Sequence, residues 1–293
     1  MSAPEVMIME KGKSQFRLDL HFYYDRFLPT SDSIRELHSL LISNAPTWMK
    51  RLQLWVDGKT PLFLHLTDPT DFARTIQTEA ARRGTLYYEL QEKFGSPKVH
   101  PRTFGMVELR GADESLIVIL SIDEDKLFRA AEAWRWGNYI TVQVCQTQVE
   151  GTEAVAWSWN FFRELARKSA PVYAHAEMTE EYKSKNIVDD SGGIRAVGLD
   201  VSHGLPGIYW LNAFGPPYVE MMGRKKMLTS PAPVVEELGE CVFIGLSSVA
   251  ENWTRPEYKK AEAAVLEHLG KHYFFLKHDP DRPLVAPDFG IPK

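Results

Sequence analysis

The chain has 293 residues, a formal net charge of −5, and 44% hydrophobic, 25% charged and 12% aromatic residues. This length and composition are those of a globular protein with a substantial core, in one large domain or two small ones. The negative net charge argues against a nucleic-acid-binding protein, which would present a concentrated basic face, and leaves room for a basic protein partner.

Residues 1–15 lack the charged start and the long apolar stretch of a signal peptide. No apolar run along the chain approaches the roughly 20 residues that a membrane span requires. We therefore expect a cytoplasmic protein that does not associate with a membrane.

The first recognisable elements are a strand and a helix. Apolar residues occupy every second position of FRLDLHFYY (residues 16–24), which predicts a half-buried strand. A helix is expected next, in SDSIRELHSLLI (31–42). Ser33 and Glu36 have the spacing of a capping box there. One helical face carries three apolar residues: Ile34, Leu37 and Leu41.

A hairpin and a second helix are expected after this unit. LQLWV and LFLHL flank the turn signal at residues 57–61, which predicts two paired strands. Asp68 and Pro69 have the pattern of a helix start, with Phe72 and Ile76 facing inward.

The middle of the chain predicts two strands, a helix and a third strand. FGMVEL (104–109) precedes the unbroken apolar run 116–120, which is typical of a strand buried on both faces. Residues 124–134 are expected to form a helix with one apolar stripe, made of Leu127, Ala131 and Trp134. YITVQV (139–144) then predicts a strand.

The second half opens with a long helix and a strand. Apolar residues recur at helical spacing before Pro171, which ends the predicted helix: Ala154, Trp157, Phe161 and Leu165. PVYAHAEM (171–178) predicts a strand with three small or apolar residues on one side, namely Val172, Ala174 and Ala176.

Residues 179–193 are polar and acidic, and we expect them to form a loop. The segment ends in the flexible sequence Ser-Gly-Gly. Long loops without their own secondary structure are uncommon in compact domains and are often functional. Its candidate interaction residues are four carboxylates: Glu180, Glu181, Asp189 and Asp190.

An aromatic, glycine-rich and proline-rich stretch, GLPGIYWLNAFGPPYVEMMGRKKML, occupies residues 204–228. Tyr209 and Trp210 are large anchors in a predicted strand over residues 208–211. Gly215 would permit a sharp bend, and Pro216 with the following proline pre-sets a helix start. Gly223 would allow a left-handed helix exit. We interpret this stretch as a structural motif.

The C-terminal part predicts a strand in CVFIGLS (241–247) and a last helix. That helix is expected to start at a capping box formed by Thr254 and Glu257 and to stop at Gly270. Its apolar face would be Tyr258, Ala261, Val265 and Leu269. Hairpin-like strand pairs and helices occur without strict alternation, so we predict an α+β fold with a mixed, largely antiparallel sheet packed with amphipathic helices.

We expect a single domain over residues 1–293, with possible halves at 15–150 and 151–293. The two cysteines, Cys145 and Cys241, each lie in an apolar strand-like run. Two lone, distant thiols are typical of core packing and not of a disulfide.

No catalytic or metal-binding pattern is supported by the sequence. Asp113, Glu124 and Lys126 resemble a restriction-type nuclease signature, but a continuous strand would hold the two carboxylates about 30 Å apart, too far to share a metal. His268 and His272 are four residues apart, yet Gly270 interrupts the helix between them. We therefore expect no enzyme activity, no metal and no cofactor.

Four segments in a fixed order resemble the type VI secretion system immunity family of the TsiV type, associated with VRR-Nuc effectors and similar to the Imm52 immunity proteins. They are FRLDLHFYY with SIRELHSLL, then LIVILSIDED, AWSWNFFRELA, and GLPGIYWLNAFGPPYVEMMG. The resemblance extends over roughly residues 15–280 and depends on the order and spacing of these segments.

The resemblance implies a non-catalytic immunity protein that binds and neutralises a cognate toxin, often a nuclease that acts on DNA in the cytoplasm. A nuclease groove is basic, so an acidic surface could occupy it and accelerate encounter. We expect the acidic segment 179–193 to provide toxin contacts. Two alternatives stay open, an enzyme whose active site is built from dispersed residues and a scaffold or adaptor subunit. The toxin's chemistry, the interface and the oligomeric state stay open as well.

Overall fold

The fold comes from a computed structural model, whose described residues cover most of the second half of the chain and parts of the first. These are residues 16–26, 32–43, 52–55, 62–63, 74–75, 78, 104–111, 116–123, 127–130, 133–136, 138–146, 151–190, 193–198 and 200–290.

The strands in chain order are β1 (Phe16–Tyr23), β2 (Leu52–Trp55), β3 (Leu62–Phe63), β4 (Phe104–Gly111), β5 (Leu116–Asp123), β6 (Leu127–Ala130), β7 (Ala133–Trp136), β8 (Tyr139–Gln146), β9 (Tyr173–Met178), β10 (Ile187–Asp190), β11 (Gly193–Ala196), β12 (Leu211–Phe214), β13 (Val234–Leu238) and β14 (Cys241–Gly245). The α-helices are α1 (Asp32–Ser43), α2 (Gly151–Ser169), α3 (Thr179–Asn186), α4 (Pro216–Met222), α5 (Arg224–Leu228) and α6 (Pro256–Leu269). Short 3₁₀ helices cover Ala250–Thr254 and Lys271–Tyr273.

Ten of the described strands form one sheet in the order β13-β14-β12-β9-β1-β8-β5-β4-β2-β3. Each neighbouring pair in it is antiparallel. Strand β1 joins the two halves of the chain, because it pairs with β8 on one side and with β9 on the other. The predicted α+β class and the predicted antiparallel character are confirmed.

Helices pack on both faces of the sheet around β1. On one face, α1 and α2 cover a core that includes Leu18, Leu20 and Phe22 of β1. On the other face, α4, α5 and α6 form a second core against Tyr173 and Phe214. Strand β1 was predicted to be half-buried, but the side chains of Asp19 and Tyr23 on its second face are also only 5% exposed. The second helical layer covers this face of β1, and the alternation of residues within one strand does not predict that layer.

The helices α1 and α2 confirm their predicted apolar stripes. Ile34, Leu37 and Leu41 of α1 are at most 1% exposed. In α2, three of the four predicted residues are buried and Trp157 packs against the same core at partial exposure. The helix ends at Ser169, just before Pro171, as predicted. No described helix combines the length and the apolar character that a membrane crossing needs.

Residues 204–215 of this stretch are buried, and residues 216–228 are buried in part. Tyr209 and Trp210 have no exposed surface, and the Trp210 indole Nε1–H donates to the Ser247 carbonyl oxygen at 2.9 Å. The strand is β12, which starts at Leu211 and so lies three residues later than the prediction. Asn212 explains the shift, since its side chain caps the preceding bend: Oδ1 accepts from the Tyr209 amide and Nδ2 donates to the Tyr209 carbonyl.

Two glycines of this motif have different roles. Gly223 has φ 89° and ends α4 in the predicted left-handed conformation. Gly215 has an ordinary φ of −82° and is required for close packing: a Cβ there would lie 1.8 Å from the Pro171 carbonyl oxygen. Gly215 also donates its amide to the Val172 carbonyl, and Pro216 begins α4 directly after it. The glycine thus allows β12 and α4 to approach the start of β9.

The helix predicted over residues 124–134 is wrong. Residues 127–130 and 133–136 are the paired strands β6 and β7, with Leu127 opposite Trp136 and Ala130 opposite Ala133. The apparent helical stripe of Leu127, Ala131 and Trp134 is a coincidence of spacing. Aromatic residues such as those of this segment favour strands.

The loop predicted over residues 179–193 is also wrong. It forms α3, followed by strand β10, and β10 pairs with β11. The buried side chains of α3 are Glu181 and Asn186. The helix therefore lacks the apolar periodicity from which a helix is predicted, and its buried face is held by polar contacts.

The last helix begins at Pro256 and not at the predicted capping box. Thr254 ends the preceding 3₁₀ helix, and the extended Arg255 is the N-cap, without a side-chain capping bond. A residue before proline is driven into extended conformation, which sets this boundary. Gly270 ends the helix as predicted, with φ 112°.

Neither Cys145 nor Cys241 is in a disulfide, and Cys241 is buried in β14, where burial raises the pKa of its thiol to about 12. This agrees with the predicted packing role.

The hairpin of β2 and β3 is present. Four residues of the sequence analysis lie outside the described residues, namely Phe72, Ile76, Asp113 and Glu124. The helix start predicted at Asp68 also lies outside them, because the first described helical residue there is Arg74.

We expect Trp210→Ala to reduce the free energy of unfolding by roughly 3–5 kcal/mol, because it removes a fully buried aromatic ring and leaves a cavity. Urea denaturation of the wild type and the variant measures this. Trp253→Ala, in the partly exposed 3₁₀ helix, is the matched control and should cost clearly less. An unchanged unfolding midpoint in Trp210→Ala would refute the structural role of this residue.

Candidate functional site

Polar side chains line up across four neighbouring strands on the second face of the sheet. The pairing register places Thr141 of β8 opposite His21 of β1, His21 opposite His175 of β9, and His175 opposite Asn212 of β12. One step along the strands, Asp19 lies opposite Glu177. The sheet register, and not sequence proximity, brings these residues together.

Glu177 lies between the two histidines at the centre of this cluster. Its Oε2 is 2.6 Å from His175 Nδ1, and its Oε1 is 3.2 Å from His21 Nε2. The first contact is a hydrogen bond. The second has the distance of an ion pair but not the alignment of a hydrogen bond, so Oε1 has no hydrogen-bond donor among the described residues. His21 is oriented from its other side, where Nδ1 lies 2.9 Å from Thr141 Oγ1.

Aromatic rings enclose the cluster. The His175 imidazole stacks on the Tyr209 ring with centroids 4.6 Å apart, and Tyr23 OH lies 3.4 Å from His175 Nε2. His175 and Glu177 have no exposed side-chain surface, whereas His21 keeps 21% of its side chain exposed. Of these three described residues, His21 is therefore the one that meets solvent.

The electrostatics of the cluster favour a carboxylate between one charged and one neutral imidazole. Burial raises the pKa of Glu177, but His175 and His21 outweigh burial and bring it down to about 2. Burial lowers the pKa of His175, and the charge of His21 lowers it further. Burial also lowers the pKa of His21, but Glu177 more than compensates, so that its pKa is raised. Of the two imidazoles, His21 therefore has the higher pKa.

A second buried ion network adjoins the first and ties α3 to α6. Lys185 Nζ lies 2.6 Å from Glu181 Oε1 and 2.7 Å from Glu262 Oε1, and it donates to the Ile208 carbonyl oxygen at 2.7 Å. Tyr258 OH donates to Glu181 Oε1 at 2.7 Å. Burial lowers the pKa of Lys185, but the two carboxylates outweigh burial and raise it. The network holds the second helical layer over the polar rows of the sheet.

The His–Glu–His cluster contains groups that general acid–base catalysis uses, but a substrate has no access to most of them. His175 and Glu177 are buried, and a catalytic base must come within hydrogen-bond reach of the proton that it takes. No group of three His, Cys, Asp or Glu in the described part of the chain is arranged to hold a metal ion. The geometry is that of a structural polar core.

A local Ser–His–Asp trio at Asp200, Ser202 and His203 is a turn. Asp200 Oδ1 accepts from the Ser202 hydroxyl at 2.6 Å, and Oδ2 lies 2.8 Å from His203 Nδ1. Ser202 Oγ also lies 3.3 Å from His203 Nδ1, the same nitrogen that faces Asp200, whereas in a catalytic triad the serine and the carboxylate contact opposite nitrogens of the imidazole. This arrangement fixes the chain direction after residue 200.

The four acidic residues predicted to contact a toxin have different environments. Glu180 is exposed and pairs with Lys183 at 2.8 Å, and Asp189 is exposed on β10. Glu181 has no exposed surface and belongs to the buried network with Lys185. Asp190 lies on β10 next to Asp189. A toxin-contact role for these residues stays a prediction, but Glu181 presents no surface to a partner in the free chain.

Two surface grooves lie on either side of the segment Leu246–Arg255, which connects β14 to α6. One, of about 320 Å³, is formed with α2 and includes Trp159, Val249 and Glu251. The other, of about 380 Å³, includes Leu246, Arg255 and Tyr258. Both grooves present apolar surface together with charged side chains.

Sequence reasoning did not identify His21, His175 and Glu177 as a group. A signal was present, because the alternation that puts Leu18, Leu20 and Phe22 on one face of β1 puts Asp19, His21 and Tyr23 on the other. The same holds for Tyr173, His175 and Glu177 in β9. The pattern does not predict the pairing of β1 with β9, which brings the polar residues of the two strands together.

Comparisons with known proteins give distant structural likeness. No family model matches the chain, and no curated protein matches it. Among solved structures, the chain is similar to the Pseudomonas aeruginosa T6SS protein PA0821, with 11% sequence identity, coverage of 93% of this chain and 78% of that chain, and a TM-score of 0.45. Similarity at this level does not establish a shared function.

We expect Glu177→Gln to lower the pKa of His21 from its raised value and to destabilise the chain by about 1–3 kcal/mol at neutral pH, because a charged hydrogen-bond partner is lost. The stabilisation from the low pKa of Glu177 is present above about pH 4.5 and is lost as the pH falls toward 2. The stabilisation from the raised pKa of His21 is fully present below pH 6.5, and it is lost as the pH rises through the pKa of His21 in the folded state.

Histidine NMR titration of the wild type and the variant measures the pKa of His21, and urea denaturation at several pH values measures stability. The internal control is His268, a partly exposed histidine of α6 whose Nε2 lies 2.7 Å from the Lys226 carbonyl oxygen, and its NMR signals should be unchanged by the substitution. An identical His21 titration in both proteins would contradict the assigned ion pair.

Proposed function

We propose that this chain is an immunity protein of the type VI secretion system, which binds and neutralises a cognate effector in the cytoplasm of the producing cell. The effector that fits best is a nuclease, and the chain would act by covering its active or DNA-binding surface. The protein would need no cofactor and would perform no catalysis.

The observation that carries this proposal is the order of the four segments that resemble the immunity family. In the fold, these segments supply β1 with α1, strand β5, helix α2, and the unit of β12 and α4. Strand β1 lies at the junction of the two halves of the sheet, and α1 and α2 cover it. The resemblance thus involves the elements on which the sheet is built.

The interior chemistry is consistent with a binding protein. The buried carboxylates Glu177 and Glu181 are used to hold strands and helices together, and both lack exposed surface. An enzyme with a dispersed active site was the main alternative. The cluster with the strongest pKa shifts would be its natural centre, but a substrate would reach only the edge of His21.

The surface charge also favours a basic partner. The chain carries 39 acidic and 34 basic residues, and a nuclease that binds DNA exposes a basic groove. Complementary charge accelerates association and discriminates against wrong partners more than it adds affinity. Exposed carboxylates such as Glu180 and Asp189 would contribute to this steering.

The proposal predicts that co-expression of this chain with the product of the neighbouring gene rescues growth of a sensitive host. Purified protein should form a stoichiometric complex with that product, which size-exclusion chromatography with light scattering measures. An unrelated effector of similar charge serves as the control and should not be neutralised. If soluble wild-type protein gives neither rescue nor a complex, the proposed function is wrong.

We also expect the purified chain to hydrolyse no substrate in a panel of nuclease, phosphatase and esterase assays with and without divalent metal ions. Turnover that co-purifies with the folded protein and is abolished by Glu124→Ala would establish the dispersed-site enzyme instead. Glu153→Ala, on the exposed start of α2, provides a surface control for that substitution.

A further inference from the structure

The groove between α2 and the Ser248–Glu251 segment combines an aromatic floor with one acidic side chain. Val155, Ala156, Trp159 and Asn160 form its α2 side, and the opposite side consists of Ser248, Val249 and Glu251. The three polar groups in this set are an amide, a hydroxyl and a carboxylate. The remainder of the lining is apolar or aromatic.

The floor of the groove is held in place by the core beneath it. The Trp159 ring packs against Trp210 with centroids 5.7 Å apart and meets Phe243 edge-on at 5.6 Å. A Cβ on Gly245 would come within 3.0 Å of the Trp159 ring, so this glycine allows the indole to lie close to β14. Such a preorganised aromatic surface loses little conformational entropy when a ligand binds.

The opposite wall is exposed and is fixed by its own backbone contacts. The Ser247 hydroxyl donates to the Val249 carbonyl at 2.5 Å and accepts from the Val249 amide at 3.2 Å. Val249 is 39% exposed, and among the described residues only Val285 is a comparably exposed large hydrophobic side chain. Glu251 is exposed and forms no ion pair with a described residue.

This combination selects a cationic side chain with an apolar stem. A purely apolar occupant would leave the Glu251 carboxylate without a partner, and an acidic occupant would be repelled by it. An arginine satisfies every part of the groove. Its methylene stem would lie against Ala156 and Val249, its planar guanidinium would stack on Trp159, and its N–H groups would donate to Glu251 and Asn160. Arginine fits better than lysine, because its guanidinium is planar, is weakly hydrated and offers five donors.

We propose that this groove is a docking site for an arginine side chain of the cognate effector. The proposal rests on the proposed function for the source of the arginine, whereas the binding chemistry of the groove is testable without the effector. It assigns to Trp159, Val249 and Glu251 a role in recognition that complements the electrostatic steering by more distant carboxylates.

The first test uses N-acetyl-arginine methylamide as the probe and the citrulline analogue as its neutral isostere. We expect the arginine probe to shift the NMR signals of the Trp159 indole N–H and the Val249 methyl groups in a saturable way, with much weaker shifts from the citrulline probe. Equal shifts from both probes, or no shift from either, would overturn the proposal.

A charge-matched pair of variants isolates the carboxylate. Glu251→Gln should bind the arginine probe about two- to fivefold more weakly, which corresponds to an exposed ion pair. Glu220→Gln removes the same charge from an exposed position on α4 and should leave binding unchanged. Equal binding by wild type and Glu251→Gln would show that the carboxylate does not recognise the cation, and would also overturn the proposal.

The second test uses the purified product of the neighbouring gene. Val249→Asp should raise the dissociation constant about tenfold or more, because a charge is placed in an apolar contact. Val285→Asp is the matched control at the other exposed valine and should have little effect. If both variants bind like the wild type, the effector does not dock in this groove, although the proposed function stands. If the wild type does not bind the effector but does bind the arginine probe, the proposed function fails and the arginine-binding groove stands.

Discussion

The buried carboxylate of Glu177 imposes the main constraint on this fold. A carboxylate without solvent contact is stable only when charges and hydrogen-bond donors in the protein replace the water that it has lost. His175 and His21 supply that replacement from two different strands, and their combined effect holds the pKa of Glu177 at about 2. Strands β1 and β9 must therefore pair in one register, because a shift of either strand by one residue would turn its histidine to the opposite face.

The same constraint extends into the helical layer that covers this face. Tyr209 stacks on His175 and donates its hydroxyl proton to Asn186 Oδ1 at 2.5 Å, which connects the cluster to the end of α3. Lys185, on the last turn of α3, then links that helix to Glu262 of α6. Buried polar networks of this kind add little net stability but strongly disfavour alternative packings that leave a charge unpaired. The result is a fixed relation between the sheet and the helices above it.

A binding protein benefits from such an interior, because recognition surfaces lose less entropy on association when they are already ordered. The groove between α2 and the Ser248–Glu251 segment, here called the α2 groove, is an example of such an ordered surface. Trp159 is the part of the groove that continues into the core, and Trp210 and Phe243 hold it. The buried and the exposed carboxylates have different roles. Glu177 and Glu181 stabilise the interior, whereas exposed carboxylates such as Glu251 are available to a partner.

Local patterns in the sequence determined much of the fold. Alternating apolar residues identified β1, the helical stripes identified α1 and α2, and Gly223 and Gly270 identified helix ends, because each of these features depends on side-chain spacing or backbone conformation within a few residues. Helix α3 was missed because its buried face is made of Glu181 and Asn186, and the hairpin of β6 and β7 was mistaken for a helix because a short apolar spacing fits both structures.

Only the tertiary structure decided which polar residues are buried together. Glu177 meets His21 across 156 positions of sequence through strand pairing, and the α2 groove forms where residue 159 meets residues 248–251. No local periodicity encodes such contacts, since they arise from the order of the strands in the sheet.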